Sequence, residues 1–301
     1  MGRRHHVEKT LLKNIEDNLP RHPDDPAVEF VLLDYNSKDG LKDWVANNAA
    51  LRPYLDDGTL VYARYPDAEY FRMPHAKNMA HRLATGDVVC NLDADNFTGE
   101  GFARYLARAF ADGKHAIVHP SFSLQRDLPV EKRGFSGRIA LRREDFLALG
   151  GYSEARFGKN WGYDDIDFVI RGLAYGLPPQ PMFDEEFFQV VPHDDKARVE
   201  NMQEAASSKK EIKIRHASNV SLRHLRVVFN TFVSRVQANK GMYFGEGKIL
   251  GINGAARVIR AEKAFVRVSK RGFRALLSLR RDHAMQKPAT DNLAGRRTAE
   301  I

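Results

Sequence analysis

A chain of 301 residues with 43% hydrophobic and 10% aromatic content can bury one large α/β core or two small ones, which excludes wholesale disorder. No run approaches the roughly 20 apolar residues of a spanning helix, and the start lacks the apolar core of a signal peptide, so the cytoplasm is the expected compartment. The formal charge of +8 sits wholly in the stretch from Gly254 onward, where 12 Lys and Arg face 4 Asp and Glu. The domain before it is near neutral, so its basicity argues for no particular partner. The single cysteine, Cys90, cannot form an intrachain disulfide and reads as a buried strand thiol.

In chain order, residues 7–18 have the apolar spacing of an amphipathic helix, with Val7, Leu11, Leu12 and Ile15 on one side. A proline-rich turn at 20–26 precedes residues 27–34, nearly all apolar, as in a strand buried on both faces. Asp39-Gly40 starts a helix through Trp44, 60–64 is a second strand, 76–84 a helix, and 87–92 a third strand ending at Asp93-Ala94-Asp95. A helix at 101–111 and strands at 116–119 and 138–141 follow, then a short helix and Gly150-Gly151-Tyr152. Trp161 opens a helix to about Tyr175, and the strand 187–191 delivers His193. Beyond Ser218 the pattern is helical, interrupted by glycines between 241 and 254. The alternation of strands and helices implies a mostly parallel sheet with helices on both faces, and ligands in such sheets bind beyond the carboxyl ends of the strands. Asp34 and Asp93 both lie at such ends.

Two carboxylates one residue apart at a strand end, Asp93 and Asp95, can converge on one hard cation, Mn²⁺ or Mg²⁺, that takes the oxygens of a diphosphate. By itself the triplet equally suits a solvated turn. Preceded by Pro74-His75-Ala76-Lys77-Asn78 and Ala84-Thr85-Gly86-Asp87, however, the segment resembles the donor site of family 2 glycosyltransferases. That resemblance implies the Rossmann-like GT-A fold, a nucleotide contact at Asp34, donor contacts at Lys77 and Asn78, and metal–diphosphate binding at Asp93 and Asp95. Gly150-Gly151-Tyr152-Ser153-Glu154 with Asn160-Trp161-Gly162-Tyr163-Asp164-Asp165-Ile166-Asp167 is similar to the later part of galactosyltransferases and polypeptide N-acetylgalactosaminyltransferases. It implies acceptor contacts at Gly151, Tyr152, Trp161 and Gly162. Asp165 matches the general base of inverting members, and Asp164 stands where the family usually has Glu. The resemblance also makes His193 a candidate third metal ligand, imidazole being a good partner for Mn²⁺, with a hydrogen-bonded surface histidine as the alternative.

These readings give a GT-A domain over 1–217, its nucleotide-binding part at about 1–98 and its acceptor and catalytic part at about 99–217. A helical basic extension follows over 218–285, then a disordered tail over 286–301. The expected activity is inverting, metal-dependent sugar transfer from a UDP-sugar to a saccharide, lipid-linked or protein acceptor, as in cell-surface polysaccharide biosynthesis. Within 255–282, cations alternate with Val258, Ile259, Phe265, Val266 and Phe273, the pattern of a helix that either lies peripherally on an anionic membrane or packs its apolar side on the catalytic domain with its cations in water. No nucleic-acid motif accompanies the charge. Two other classes compete: a sugar nucleotidyltransferase, which needs a glycine-rich phosphate loop not seen here, and a binding relic without turnover. Family members also begin with an apolar strand before the helix that matches 3–18. Only Met1-Gly2 stands before it here, so either the sequence starts too far downstream or the fold compensates.

Overall fold

The computed structural model describes residues 1–121, 128, 134–159, 162–193, 196, 199–205 and 241–265. The proline-rich turn separates helix α1 (Arg4–Asn18) from strand β1 (Phe30–Asp34). Helices α2 (Leu41–Asn47) and α3 (Arg52–Asp56) lead to β2 (Leu60–Arg64), which pairs with β1 in parallel. Helix α4 (Met73–Leu83), with proline in its first turn where an N–H is unneeded, connects to β3 (Val88–Cys90) and β4 (Asn96–Phe97). Helix α5 (Phe102–Ala109), β5 (Ile117–Pro120) and β6 (Ala140–Arg142) follow, then α6 (Arg143–Leu149), α7 (Glu154–Phe157) and α8 (Asp164–Tyr175). Strands β7 (Pro179–Met182) and β8 (Gln189–Val190) complete the part before the C-terminal strands.

Two four-stranded sheets form, ordered β1-β2-β10-β11 and β3-β6-β5-β7, where β10 is Gly247–Gly251 and β11 is Ala256–Ile259. β4 pairs with β8, and β9 (Gly241–Phe244) with β12 (Glu262–Phe265). The fold is mixed α/β with sheets flanked by helices, as the GT-A expectation requires. The expectation of a mostly parallel sheet is corrected: among the described pairings only β1–β2 and β5–β7 are parallel. The physical reason is in the connections. β6 inserts antiparallel between β3 and β5, β10 runs antiparallel along β2, and β10 and β11 are the two arms of a hairpin, which can only be antiparallel.

The helical reading of 218–285 is also corrected where it can be checked. Residues 241–265 form strands β9 to β12, and β10 and β11 flank Asn253-Gly254, a dipeptide suited to hairpin turns, with Gly254 at φ 81°. Ile259 is therefore a buried strand residue of the sheet core, not one side of a membrane-lying helix. The remainder, 218–240 and 266–285, lies outside the described residues, as does the tail 286–301. β7, with prolines at 179 and 181, had no strand signal; proline is tolerated there because β7 is an edge strand. Among the described residues no helix is long and apolar enough to cross a membrane.

Side chains alternate across the first sheet. Phe30 and Leu32 of β1 pack with Val7, Leu11 and Ile15 of α1, while Val31 and Leu33 pack with Met79 and Leu83 of α4. Helices α1 and α4 thus cover opposite faces. A third cluster joins α6 and α8 to β5 and β6 around Phe146, Phe168 and Ile117.

Candidate active site

The chain leaving β3 is held by one side of α1. At a spacing of four residues, Thr10, Asn14 and Asn18 share one face of that helix and are buried. Thr10 Oγ1 donates to the Ala94 carbonyl at 2.8 Å, Asn14 Nδ2 to the Asn96 carbonyl at 2.9 Å, and Asn18 Nδ2 to Thr98 Oγ1 at 2.8 Å. From the other side, buried Arg138 donates to Asn96 Oδ1 at 3.2 Å and to the Phe97 carbonyl at 2.8 Å. The loop carrying Asp93 and Asp95 is thereby fixed by polar bonds inside the protein, where each counts for more than in water. Pairing of Asn96 with Val190, and the Val191 N–H donating to the Asp95 carbonyl at 2.7 Å, then bring His193 to Asp95. His193 Nε2 lies 2.7 Å from Asp95 Oδ2. Burial tends to raise the Asp95 carboxyl, but the hydrogen bond and charge of His193 outweigh it and hold Asp95 below the usual carboxylate range.

Asp93 sits in a different setting. Asn91 Nδ2 donates to its Oδ1 at 3.1 Å, and a Cβ on Gly137 would lie 3.0 Å from its Oδ2, so any larger residue there would crowd the carboxylate. Burial raises the Asp93 pKa, with Lys77 opposing and the Asp95 charge adding to the rise. Lys77 Nζ donates to Asp164 Oδ2 at 2.7 Å and lies 4.9 Å from the centre of the Tyr152 ring. Burial works against the Lys77 ammonium, but Asp164 and Asp93 overcome it and hold its pKa above the ordinary lysine value.

Asp164 and Asp165 are presented by a strained turn. Gly162 (φ 102°) and Tyr163 (φ 70°) are both left-handed, an unusual conformation for tyrosine. The turn aims the first residues of α8 at the same cavity that Asp93, Asp95, His193 and Lys77 line, a space of about 1620 Å³. Three acidic residues in the first turn of α8, Asp164, Asp165 and Asp167, also suit the positive end of the helix dipole. Asp167 is taken up structurally, with Arg171 Nε donating to it at 2.8 Å. Arg171 also donates to the carbonyls of Leu149 (2.8 Å) and Gly151 (2.6 Å), anchoring the glycine turn to α8. Asp165 has one oxygen bonded, Oδ1, to the N–H of Ile166 at 2.8 Å.

Other expected site residues are placed as follows. Asp34 ends β1 but is buried, accepting from the Ser37 N–H and Tyr62 hydroxyl, each at 2.7 Å. Asn78 is fully buried, and its amide is engaged by Tyr152 and Glu154 rather than facing the cavity. Gly151 (φ 57°) packs on Asn78, where an added Cβ would lie 2.3 Å from Asn78 Oδ1. Tyr152 is buried and stacks on Phe168 at 4.4 Å. Gly162 does line the cavity, whereas Trp161 lies outside the described residues. Among the described residues no cluster of three His, Cys, Asp or Glu side chains is gathered as a metal site; Asp95 and His193 come together and Asp93 stands apart with Lys77. Sequence reasoning missed the Thr10-Asn14-Asn18 side of α1, Arg138 and Arg171. The four-residue polar spacing in α1 was the visible signal for the first.

A family model described as glycosyl transferase family 2 matches residues 4–167, more than half of the chain. A solved structure, the catalytic domain of Drosophila beta1,4galactosyltransferase 7 in complex with xylobiose, is similar over 79% of this chain and 94% of its own, at 14% identity and a TM-score of 0.38. No curated protein matches the sequence.

Proposed function

The chain belongs to glycosyl transferase family 2 and is a glycosyltransferase, and on that footing we propose that it moves a sugar from a UDP-linked donor to an acceptor hydroxyl, with inversion. The observation that supports this most is the meeting of two carboxylate sets in the lining of one cavity: Asp93 and Asp95 with His193 from the β3 end, and Asp164 and Asp165 from the start of α8.

Inverting transfer needs a base to take the acceptor proton as its oxygen attacks the anomeric carbon, while the bond from that carbon to the diphosphate breaks. Asp165 serves as that base. Asp164 is committed to Lys77 and acts by positioning, since its Oδ2 accepts the buried ammonium. Asp95 Oδ2 and His193 Nε2, a hard oxygen and an imidazole nitrogen facing each other, fit a divalent cation such as Mn²⁺, and Asp93 would join them. When bound, that cation neutralises charge developing on the departing diphosphate. Lys77 adds fixed positive charge beside Asp93, and Gly162 leaves backbone room for a sugar ring. The acceptor class is a hydroxyl on a saccharide, a lipid-linked sugar or a protein.

Incubation with a panel of UDP-sugars and Mn²⁺ should release UDP, faster with a matched acceptor. Asp165→Asn keeps the size and polarity of the side chain but removes its basicity, so turnover should drop by about 10²-fold or more with donor affinity retained. A near-normal rate in that variant would remove Asp165 from the reaction.

A further inference from the structure

Helix α1 spaces four buried polar residues at intervals of four, His6, Thr10, Asn14 and Asn18, which places them along one face. Three of them use their side chains on the segment after β3: Thr10 on Ala94, Asn14 on Asn96 and Asn18 on Thr98. His6, the first of the series, makes no such bond; its one side-chain hydrogen bond is to Arg3. The centre of its ring lies 5.3 Å from that of His193, the residue that meets Asp95. His6 also lines the cavity that Asp93, Asp95 and His193 line.

The neighbour at position 3 fixes which ring nitrogen carries the proton. Arg3 Nη1 lies 3.3 Å from His6 Nδ1, and a guanidinium has only donors, so Nδ1 accepts. The ring is therefore neutral, with its proton on Nε2, on the far side of the imidazole. Among the described residues Nε2 has no hydrogen-bond partner, although His6 is only 1% exposed. The backbone holds the ring in place: the His6 carbonyl accepts from Thr10 Oγ1 at 3.1 Å, and its N–H donates to the Arg3 carbonyl at 3.0 Å. An N–H shut away from bulk water without an acceptor is costly, so the acceptor belongs to what the cavity admits. A cation does not match it, because Nε2 offers a proton and no lone pair while Arg3 holds Nδ1. An anionic oxygen does, and the first turn of a 15-residue helix favours negative charge at the same place.

We propose that His6 is a donor-binding residue, its Nε2–H donating to an oxygen of the diphosphate held beside His193. This rests on the reading of Asp93, Asp95 and His193 as the diphosphate site, and adds to it a neutral donor that no part of the acidic motif supplies. The role divides the face of α1 in two. Thr10, Asn14 and Asn18 fix the segment that carries the carboxylates, and His6, one turn earlier, meets the ligand those carboxylates gather. A fixed N–H at this point also answers the charge that develops on the diphosphate as it leaves the sugar.

The test is calorimetry on the full chain and three variants, with Mn²⁺ alone and then with UDP at saturating Mn²⁺. His6→Phe keeps a ring against His193 but has no N–H. His6→Gln sets an amide near the position of Nε2, whereas the amide of His6→Asn reaches only to that of Nδ1. UDP affinity should fall about tenfold or more in His6→Phe and His6→Asn, and stay within about threefold of the parent in His6→Gln. Mn²⁺ affinity should be unchanged in all three, and Tm without ligand should not fall. If His6→Phe does not fold, the contrast between His6→Asn and His6→Gln decides. Equal UDP affinity in the variants and the parent would overturn the proposal, as would a loss in His6→Gln as large as in His6→Asn. A parallel loss of Mn²⁺ affinity would make His6 a support for His193 and overturn it likewise. A parent chain that binds no UDP in the presence of Mn²⁺ would instead overturn the donor-site reading, and this proposal with it.

Discussion

Lys77 stands between the two carboxylate sets, and its surroundings define what it can do. Its side chain is 8% exposed and that of Asp164 3%, so the pair is shut away from water. Removing one partner of such a pair leaves the other charge buried and uncompensated, at a cost of about 3–5 kcal/mol. Lys77→Met should therefore lower the unfolding free energy measured in urea by that order, and a second change, Asp164→Asn, should recover part of the loss. If Lys77→Met unfolded at the parental midpoint, the buried pairing would be wrong. The resemblance to family 2 donor sites pointed to Lys77 as a donor contact. It gave no sign of Asp164 as partner, because 87 residues separate them and only the packing of α4 against the start of α8 brings them together. The same limit applies to Asn78, whose partners Tyr152 and Glu154 are equally remote in the chain.

At the scale of elements, α4 carries a second buried group with a measurable consequence. His81 donates from Nδ1 to the Lys77 carbonyl at 2.7 Å, which fixes the tautomer, and leaves Nε2 buried without a partner. The ring stacks on Phe146 at 4.5 Å. Burial pushes its pKa down to about 4, with the Lys77 carbonyl opposing. The unfolded chain takes up a proton near pH 6.5 and the folded one only near pH 4, so between these values the unfolded state binds more protons. Stability from this group is full above pH 6.5 and declines as pH falls toward 4, by up to about 3 kcal/mol. Urea unfolding at pH 7 and pH 4.5 should show the loss, and His81→Met should flatten it. An unchanged pH slope in His81→Met would contradict the burial of a neutral imidazole.

Elements whose signal is local were legible: α1, β1, β2 and α8 stand close to where hydrophobic spacing and turn residues put them. β10 to β12 were not. Their apolar residues, Ile249, Ile259 and Ala264, also fit a helical spacing over short stretches, and the sheet edge of β2 that makes β10 a strand lies far away in the sequence. A short apolar run cannot settle helix against strand without its partner. Asn253-Gly254 was the local clue to the hairpin.

At the scale of the whole molecule, the sequence showed which residue types gather at strand ends, and the structure shows how they divide. Asp95 and His193 meet directly through β4–β8 pairing, Asp93 is coupled by charge to Lys77, and Asp165 lines the same cavity. None of this could be read from spacing alone, since it depends on which elements remote in the chain pair and pack.

The central claim is that the carboxylates after β3, with His193, hold the diphosphate end of the donor through a divalent cation. Calorimetric titration of UDP into the protein with Mn²⁺, and again with EDTA, tests it without relying on turnover. The account predicts binding that requires Mn²⁺ in the parent chain, disappears in Asp95→Ala and persists in Asp165→Asn. UDP binding of equal strength in Asp95→Ala, or binding indifferent to EDTA in the parent chain, would contradict it.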